Sequence, residues 1–363
     1  MGLSAKNRQT LRTLRLLALL CATVTMLTGC APDEIEPGVY VASLSDDVTT
    51  WIGAPAAAPV WSPDGNSIAW GTERGIYVGQ PGGHQTRRMT ESPVAGIPTW
   101  SPDGATIAYV ATDSASLVIV DATSGAETLE VPIRNVGAVS EASDIVSIGG
   151  PSWRPDGSQL AFICWDGQGD EICVINADGS DRRQVTHIEP LRRSTTSGAT
   201  AGPAGSNVGP PVWSPDGASL AVPAYAEIRG TASGIIIVLL EQGIARRVTS
   251  LQPTSDVLWT SDGGALLFAA SVEGRTDVYR VSASGGLARN LTRSLPDGAR
   301  DPALSPDGRE LAVASGRHIQ ILGQRARKIG SGDESMRDRH PAWSPDGEEL
   351  AFSSSPALVT KYD

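Results

Sequence analysis

One five-residue phrase, Trp-Ser-Pro-Asp-Gly, recurs along this 363-residue chain and leaves it few folds to choose from. Complete copies begin at Trp61, Trp100, Trp213 and Trp343, and a copy at Trp153 carries Arg154 in place of Ser. Degenerate copies begin at Trp259 and Leu304, which makes seven. Successive copies are 39, 53, 60, 46, 45 and 39 residues apart. A unit of that size cannot bury its apolar face alone and must stack on its neighbours, and this period is that of a four-stranded propeller blade.

Each copy continues alike. Seven positions after the phrase begins stands Ile68, Ile107, Leu160, Leu220, Leu266, Leu311 or Leu350, and in six cases Ala follows, then a bulky residue such as Trp70, Tyr109 or Phe162. A third apolar segment follows (Ile76 to Val78, Ile172 to Val174), and a fourth carries Arg and then Thr at Thr90, Thr186, Thr249 and Thr292. Within the phrase, Pro presets φ for a type I turn, Asp tolerates the next position, and Gly accepts the left-handed conformation. The phrase therefore joins a first strand, a, to a second, b. The seven Asp residues read as turn formers rather than metal ligands, and the Trp residues as packing between blades rather than a substrate platform.

The seventh copy is followed by residues for two strands only. The missing third and fourth strands are predicted at the other end, in residues 38–43 and 47–52. The fold class is thus all-β, a single closed seven-bladed β-propeller over residues 38–355, with its last blade completed by N-terminal strands. An open solenoid would leave those strands without partners and expose an edge. Gly (40) and Pro (25) are abundant, as many turns and short strands require. The net charge of −11 argues against a nucleic-acid partner, which wants a basic stripe.

Residues 1–29 read as an export signal. Lys6, Arg8, Arg12 and Arg15 precede an apolar stretch over 16–27, too short to span a bilayer, which ends in Leu27, Thr28, Gly29 and Cys30. This resembles a bacterial lipobox with Cys30 as the lipidated residue; an ordinary secretory signal with a nearby Cys is the alternative. Residues 30–37 would form the tether and 356–363 a tail, and the mature chain would carry a charge of −15. Cys164 and Cys173 then remain as an even pair in an oxidising compartment. A hairpin centred on Gln168 and Gly169 would set them directly opposite each other for a disulfide, two buried thiols being the alternative.

The phrase, the Ile/Leu-Ala-bulky strand and the Arg-rich segment ending in Thr resemble the TolB-type, WD40-like propeller repeat over residues 38–355. TolB-like proteins also carry an α/β domain before the propeller, whereas only residues 31–37 separate Cys30 from the first strand here. The repeat implies a fold that hosts many functions. Long connections at 131–150, 187–210 and 223–234 all enlarge one face, as a binding surface or neutral loop drift would. On that face Asp301 and His340 precede Pro302 and Pro341, which start innermost strands, so both are expected to border the central opening with Arg300, Arg337 and Arg339 beside them. The matching positions in blades one to four are bland: Ala58, Ile97, Gly150 and Pro210. These Arg residues either hold carboxylates or phosphates of a ligand or pair with the local acids in a solvated network.

No phosphate loop, nucleophile elbow or zinc spacing is present, and His84, His187, His318 and His340 are scattered over four blades, with His84 expected on the opposite face. The expectation is a non-catalytic, lipid-anchored and monomeric module of the cell envelope, facing periplasm or cell exterior, without cofactor or metal. Its partner would be an envelope protein or glycan. The alternatives are a small-ligand or glycan binder at the central opening and a metal-dependent lyase or hydrolase.

Overall fold

The computed structural model describes residues 36–53, 58–83, 85–133, 150–165, 169–187, 208–225 and 233–357. These form seven antiparallel four-stranded sheets arranged as the blades of a ring, with no helix among the described residues. Blade three shows the plan. Strand a is Ser152–Trp153, b is Gln159–Trp165, c is Asp170–Asn176 and d is Arg183–Gln184, hydrogen-bonded in that order. Strands b and c are buried along nearly their whole length, because each blade is covered on both faces by its neighbours. That is why they read as continuous apolar runs rather than alternating ones.

The phrase builds its turn as its chemistry demands. The Ser62 hydroxyl donates to Asp64 Oδ1 (2.6 Å), the same oxygen accepts the Asn66 N–H (3.0 Å), and Ser62 Oγ accepts the Ser67 N–H (3.0 Å). Gly65 closes the turn at φ 74°. The hydroxyl first, and then the backbone N–H, hold the Asp64 and Asp103 carboxyls below their ordinary value. In blade three Arg154 has replaced the Ser, and Ser158 donates to Asp156 instead (2.6 Å). Arg154 is thereby released to reach the next blade, where it donates to the Gly217 carbonyl (3.0 Å) and lies over the Trp213 ring.

Repeated polar contacts join blade to blade. Each of five indole N–H groups donates to the carbonyl just before the phrase in the preceding blade: Trp100 to Val60, Trp213 to Ser152, Trp259 to Val212, Trp343 to Ala303 and Trp61 to Ala342. Trp153 departs from the pattern, its buried indole N–H having no acceptor among the described residues. The basic residues of strand d do the same work at the outer rim. Arg87 donates to the Ala122 carbonyl, and Arg246 to those of Ala283 and Ser284, each on the next blade. Thr90, Thr186 and Thr292 each accept an N–H of their own strand c, at Ile76, Ile172 and Val278.

Blade seven joins the two ends of the chain. Its order from the centre outward is Met336–Trp343, Glu349–Pro356, Gly38–Ser43 and Thr49–Gly53. The N-terminal strands complete it as expected, pairing from Gly38 with Ser354 to Ser43 with Glu349. The last strand starts at Thr49 rather than 47 because residues 44–48 are spent on the turn: Asp47 sits at φ 58° and the Val48 N–H bonds Asp46 Oδ1. Arg327 of blade six locks this turn, donating to the Leu44 carbonyl (2.6 Å) and Asp47 (2.8 Å).

Cys164 and Cys173 form a disulfide with Cα atoms 5.8 Å apart. They are not directly opposite, which corrects the predicted register. Cys164 pairs with Glu171 and Cys173 with Phe162, so the bridge runs diagonally. The last pair before the turn is Trp165 with Asp170, which sets the hairpin centre one residue earlier than Gln168 and Gly169. The loop it closes is short, so changing both Cys to Ser is expected to cost about 2–3 kcal/mol. A urea midpoint equal to that of the oxidised wild type would show that the bridge adds nothing.

Candidate binding site at the central opening

Strand a of every blade lines the centre of the ring, so the same repeat position recurs around one mouth. The position three residues before the phrase carries Asp256, Asp301 and His340 on blades five, six and seven. With Pro59, Ile97, Leu258 and Trp259 among their neighbours, these three side chains line a cavity of about 320 Å³.

Two local distortions aim them. The a–b pairing shifts register between Arg300 and Ala303 and again between Arg339 and Ala342. At these bulges Asp301 and His340 both lie at φ 50°, a left-handed conformation that costs a non-Gly residue about 1 kcal/mol or more. Blade two makes its bulge with Gly96 at φ 69° and avoids that strain. Pro302 and Pro341 force the irregularity, since each lacks an N–H for the ladder and restricts the residue before it.

Arg339 spans the joint between blades six and seven, its Nη1 3.5 Å from Asp301 Oδ2. Burial lowers the Arg339 pKa, Asp301 opposes that, and the neighbouring Arg300 and Arg337 add to the lowering. The His340 ring nitrogen Nδ1 lies 3.1 Å from Ser353 Oγ. Arg300 and Arg337 are exposed, and their side chains make no ion pair or hydrogen bond among the described residues. The five residues singled out in the sequence therefore gather in one sector. Asp256 is the member that the sequence reading missed. Its signal was the shared three-residue offset from Trp259, hidden because Val257 stands where the other blades have Pro. Asp256 is exposed where it lines the cavity. The surrounding protein still desolvates its carboxylate in part and raises its pKa, with His340 opposing and Asp301 adding to the rise.

Residues 191–358 match the TolB beta propeller domain family. Over those residues the seven-bladed ring is similar to a TolB-type propeller. A protein TolB homolog from Chlorobium chlorochromatii is 29% identical over 161 residues, 44% of this chain and 32% of that protein. An uncharacterized peptidase of Bacillus subtilis, YuxL, is 29% identical over 169 residues, 46% of this chain and 21% of that protein. The chain thus spans no more than 32% of the length of these curated relatives. Among solved structures, an oligogalacturonate lyase from Vibrio parahaemolyticus aligns with a TM-score of 0.57 at 12% identity, over 90% of this chain and 100% of its own. At that identity the likeness is one of fold alone.

In this propeller no group of three His, Cys, Asp or Glu side chains among the described residues is arranged to hold a metal ion. No described helix is long and apolar enough to cross a membrane. Cys30, His84 and most of the long connections at 131–150, 187–210 and 223–234 lie outside the described residues.

Beside the mouth, Asp338 is 1% exposed on strand a of blade seven. Its Oδ2 accepts the Ser331 N–H (3.2 Å) and lies 3.6 Å from His318 Nδ1, while Oδ1 has no hydrogen-bond partner among the described residues. Burial raises its pKa despite the hydroxyls of Ser354 and Ser331. A raised carboxyl binds its proton more readily folded than unfolded. Its stabilising contribution is therefore full below the ordinary Asp value and is lost as pH rises through the raised one. Asp338→Asn is expected to remove that pH dependence, so that the variant gains on the wild type as pH rises. Parallel denaturation midpoints for the two proteins from about pH 4 to pH 8 would overturn this.

Proposed function

We propose that this chain is an exported, lipid-anchored and non-catalytic module of the cell envelope that captures a protein partner at the polar sector of its central opening. The observation that carries the reading is the placement of Asp256, Asp301 and His340 at one repeat position on three consecutive blades, beneath Arg300 and Arg337, whose guanidinium groups make no ion pair among the described residues. Unpaired guanidinium groups favour carboxylates, which they bind bidentately. The Arg339–Asp301 pair holds the joint between blades six and seven, so the sector is presented on a rigid frame. A TolB-type repeat supports an envelope address. The basic, apolar and Cys30-terminated leader supports a lipid anchor there.

Changing Arg300, Arg337 and Arg339 together to Ala is expected to abolish crosslinking to the partner in intact cells. Losing the exposed Arg300 and Arg337 should hardly change the melting temperature, and losing Arg339, which leaves Asp301 without its partner, should lower it while the ring stays folded. Crosslinking that survives the triple change would move the site elsewhere. The anchor has a separate test: Cys30→Ser is expected to release the protein from the membrane fraction, and full retention would refute lipidation.

A further inference from the structure

Resting on that recognition reading, we propose that the central cavity receives a primary ammonium group on an aliphatic stem, the chemistry of a lysine side chain of the partner. The Asp256 carboxylate makes no hydrogen bond or ion pair among the described residues, although it opens onto the cavity. Its neighbour Asp301 is held by Arg339 at 3.5 Å, so that charge is already answered. Asp256 is not. The groups that face it are Asp301, which repels it, and His340, which attracts it only when protonated. A cation entering the cavity would satisfy Asp256 where no other described side chain does.

The walls decide the rest of the ligand. Around the polar trio stand Ala58, Pro59, Ile97, Leu258 and Pro302, surfaces that suit methylene groups, and Trp259 adds an aromatic residue to the lining. A volume of about 320 Å³ lies at the lower end of small-ligand cavities, about 300–1,000 Å³, and suits one side chain better than an oligosaccharide. Strand direction sets the vertical order of charge. Strand a runs from the open rim toward the Ser-Pro-Asp-Gly turn, so Arg300 precedes Asp301, and Arg337 and Arg339 precede His340. The three guanidinium groups are outside the cavity lining and the carboxylates are within it. The recognised segment is therefore a lysine flanked by acidic residues, its carboxylates on the rim and its ammonium inside.

The test uses the full chain with three probes: N-acetyl-lysine amide, N-acetyl-norleucine amide and N-acetyl-glutamate amide. Titration calorimetry should show the lysine probe binding at least tenfold more tightly than norleucine, which has the same stem without the charge. Asp256→Asn should remove that preference at an unchanged melting temperature, and Asp301→Asn should weaken it less. Equal binding of lysine and norleucine, tighter binding of glutamate, or a preference untouched in Asp256→Asn would each overturn the proposal. Crosslinking at the Arg sector separates the two readings. Crosslinking without lysine preference sinks the ammonium inference alone, and lysine preference without crosslinking sinks the recognition reading alone.

Discussion

A chain lacking residues 38–52 is expected not to melt as a single cooperative ring. The deletion takes both outer strands from blade seven and leaves Glu349–Pro356 as an open edge. It removes the buried side chains of Val39, Tyr40, Val41, Leu44 and Ile52 together with the acceptors of Arg327. Five large apolar side chains at about 1.5–3 kcal/mol each amount to roughly 10 kcal/mol. That is comparable with the whole net stability of a typical domain, about 5–15 kcal/mol. The expected result is loss of the cooperative transition, or a large fall in melting temperature with binding of a hydrophobic dye. A truncated protein that melts like the wild type would show that the N-terminal strands do not close the ring.

The second large effect is expected at the same joint, on its other side. Trp70, on strand b of blade one, is 0% exposed. Its ring packs against two glycines, where an added Cβ would approach within 2.4 Å at Gly53 and 3.0 Å at Gly79. Gly53 belongs to the N-terminal strands of blade seven, so Trp70 fills the seam where the chain ends meet, in one apolar cluster with Val39, Val41 and Ile52. Trp70→Ala should cost about 3–5 kcal/mol by cavity formation. The indole N–H has no acceptor among the described residues, so no hydrogen bond to them is lost with it. Trp70→Phe keeps part of the packing and removes that unpaired donor, and should cost clearly less than the Ala change. Equal denaturation midpoints for the two variants would contradict this account of the seam.

Much of this architecture is legible without coordinates. The seven phrases, the turn chemistry of Asp64 and its counterparts and the surplus strands at the N-terminus are local patterns. Each is written in residues that touch their chain neighbours. The count of blades and the joining of the chain ends follow from them. Other features follow from how repeats meet. The indole and guanidinium bonds between blades join residues from 35 to 63 positions apart, or 281 apart for Trp61 and Ala342. The phrase shows that such residues recur, but not which carbonyls they reach. The disulfide register was misjudged because the length of a turn, not the spacing of the Cys residues, sets which residues face each other.

The candidate site divides in the same way. Asp301 and His340 could be placed at the opening from the sequence, since a Pro after each marks the start of an inner strand. Asp256 lacks that Pro, so its three-residue offset from Trp259 was the only signal in the sequence that it stands level with them. The sequence by itself determined the repeated unit, because turns and strand periodicity are properties of neighbouring residues. The tertiary structure alone decided that three side chains 45 and 39 residues apart share one cavity, and that Asp256 is the one whose charge is left unanswered there. A closed ring brings one position of every repeat to a common centre, and the charge balance at that centre depends on all the blades at once.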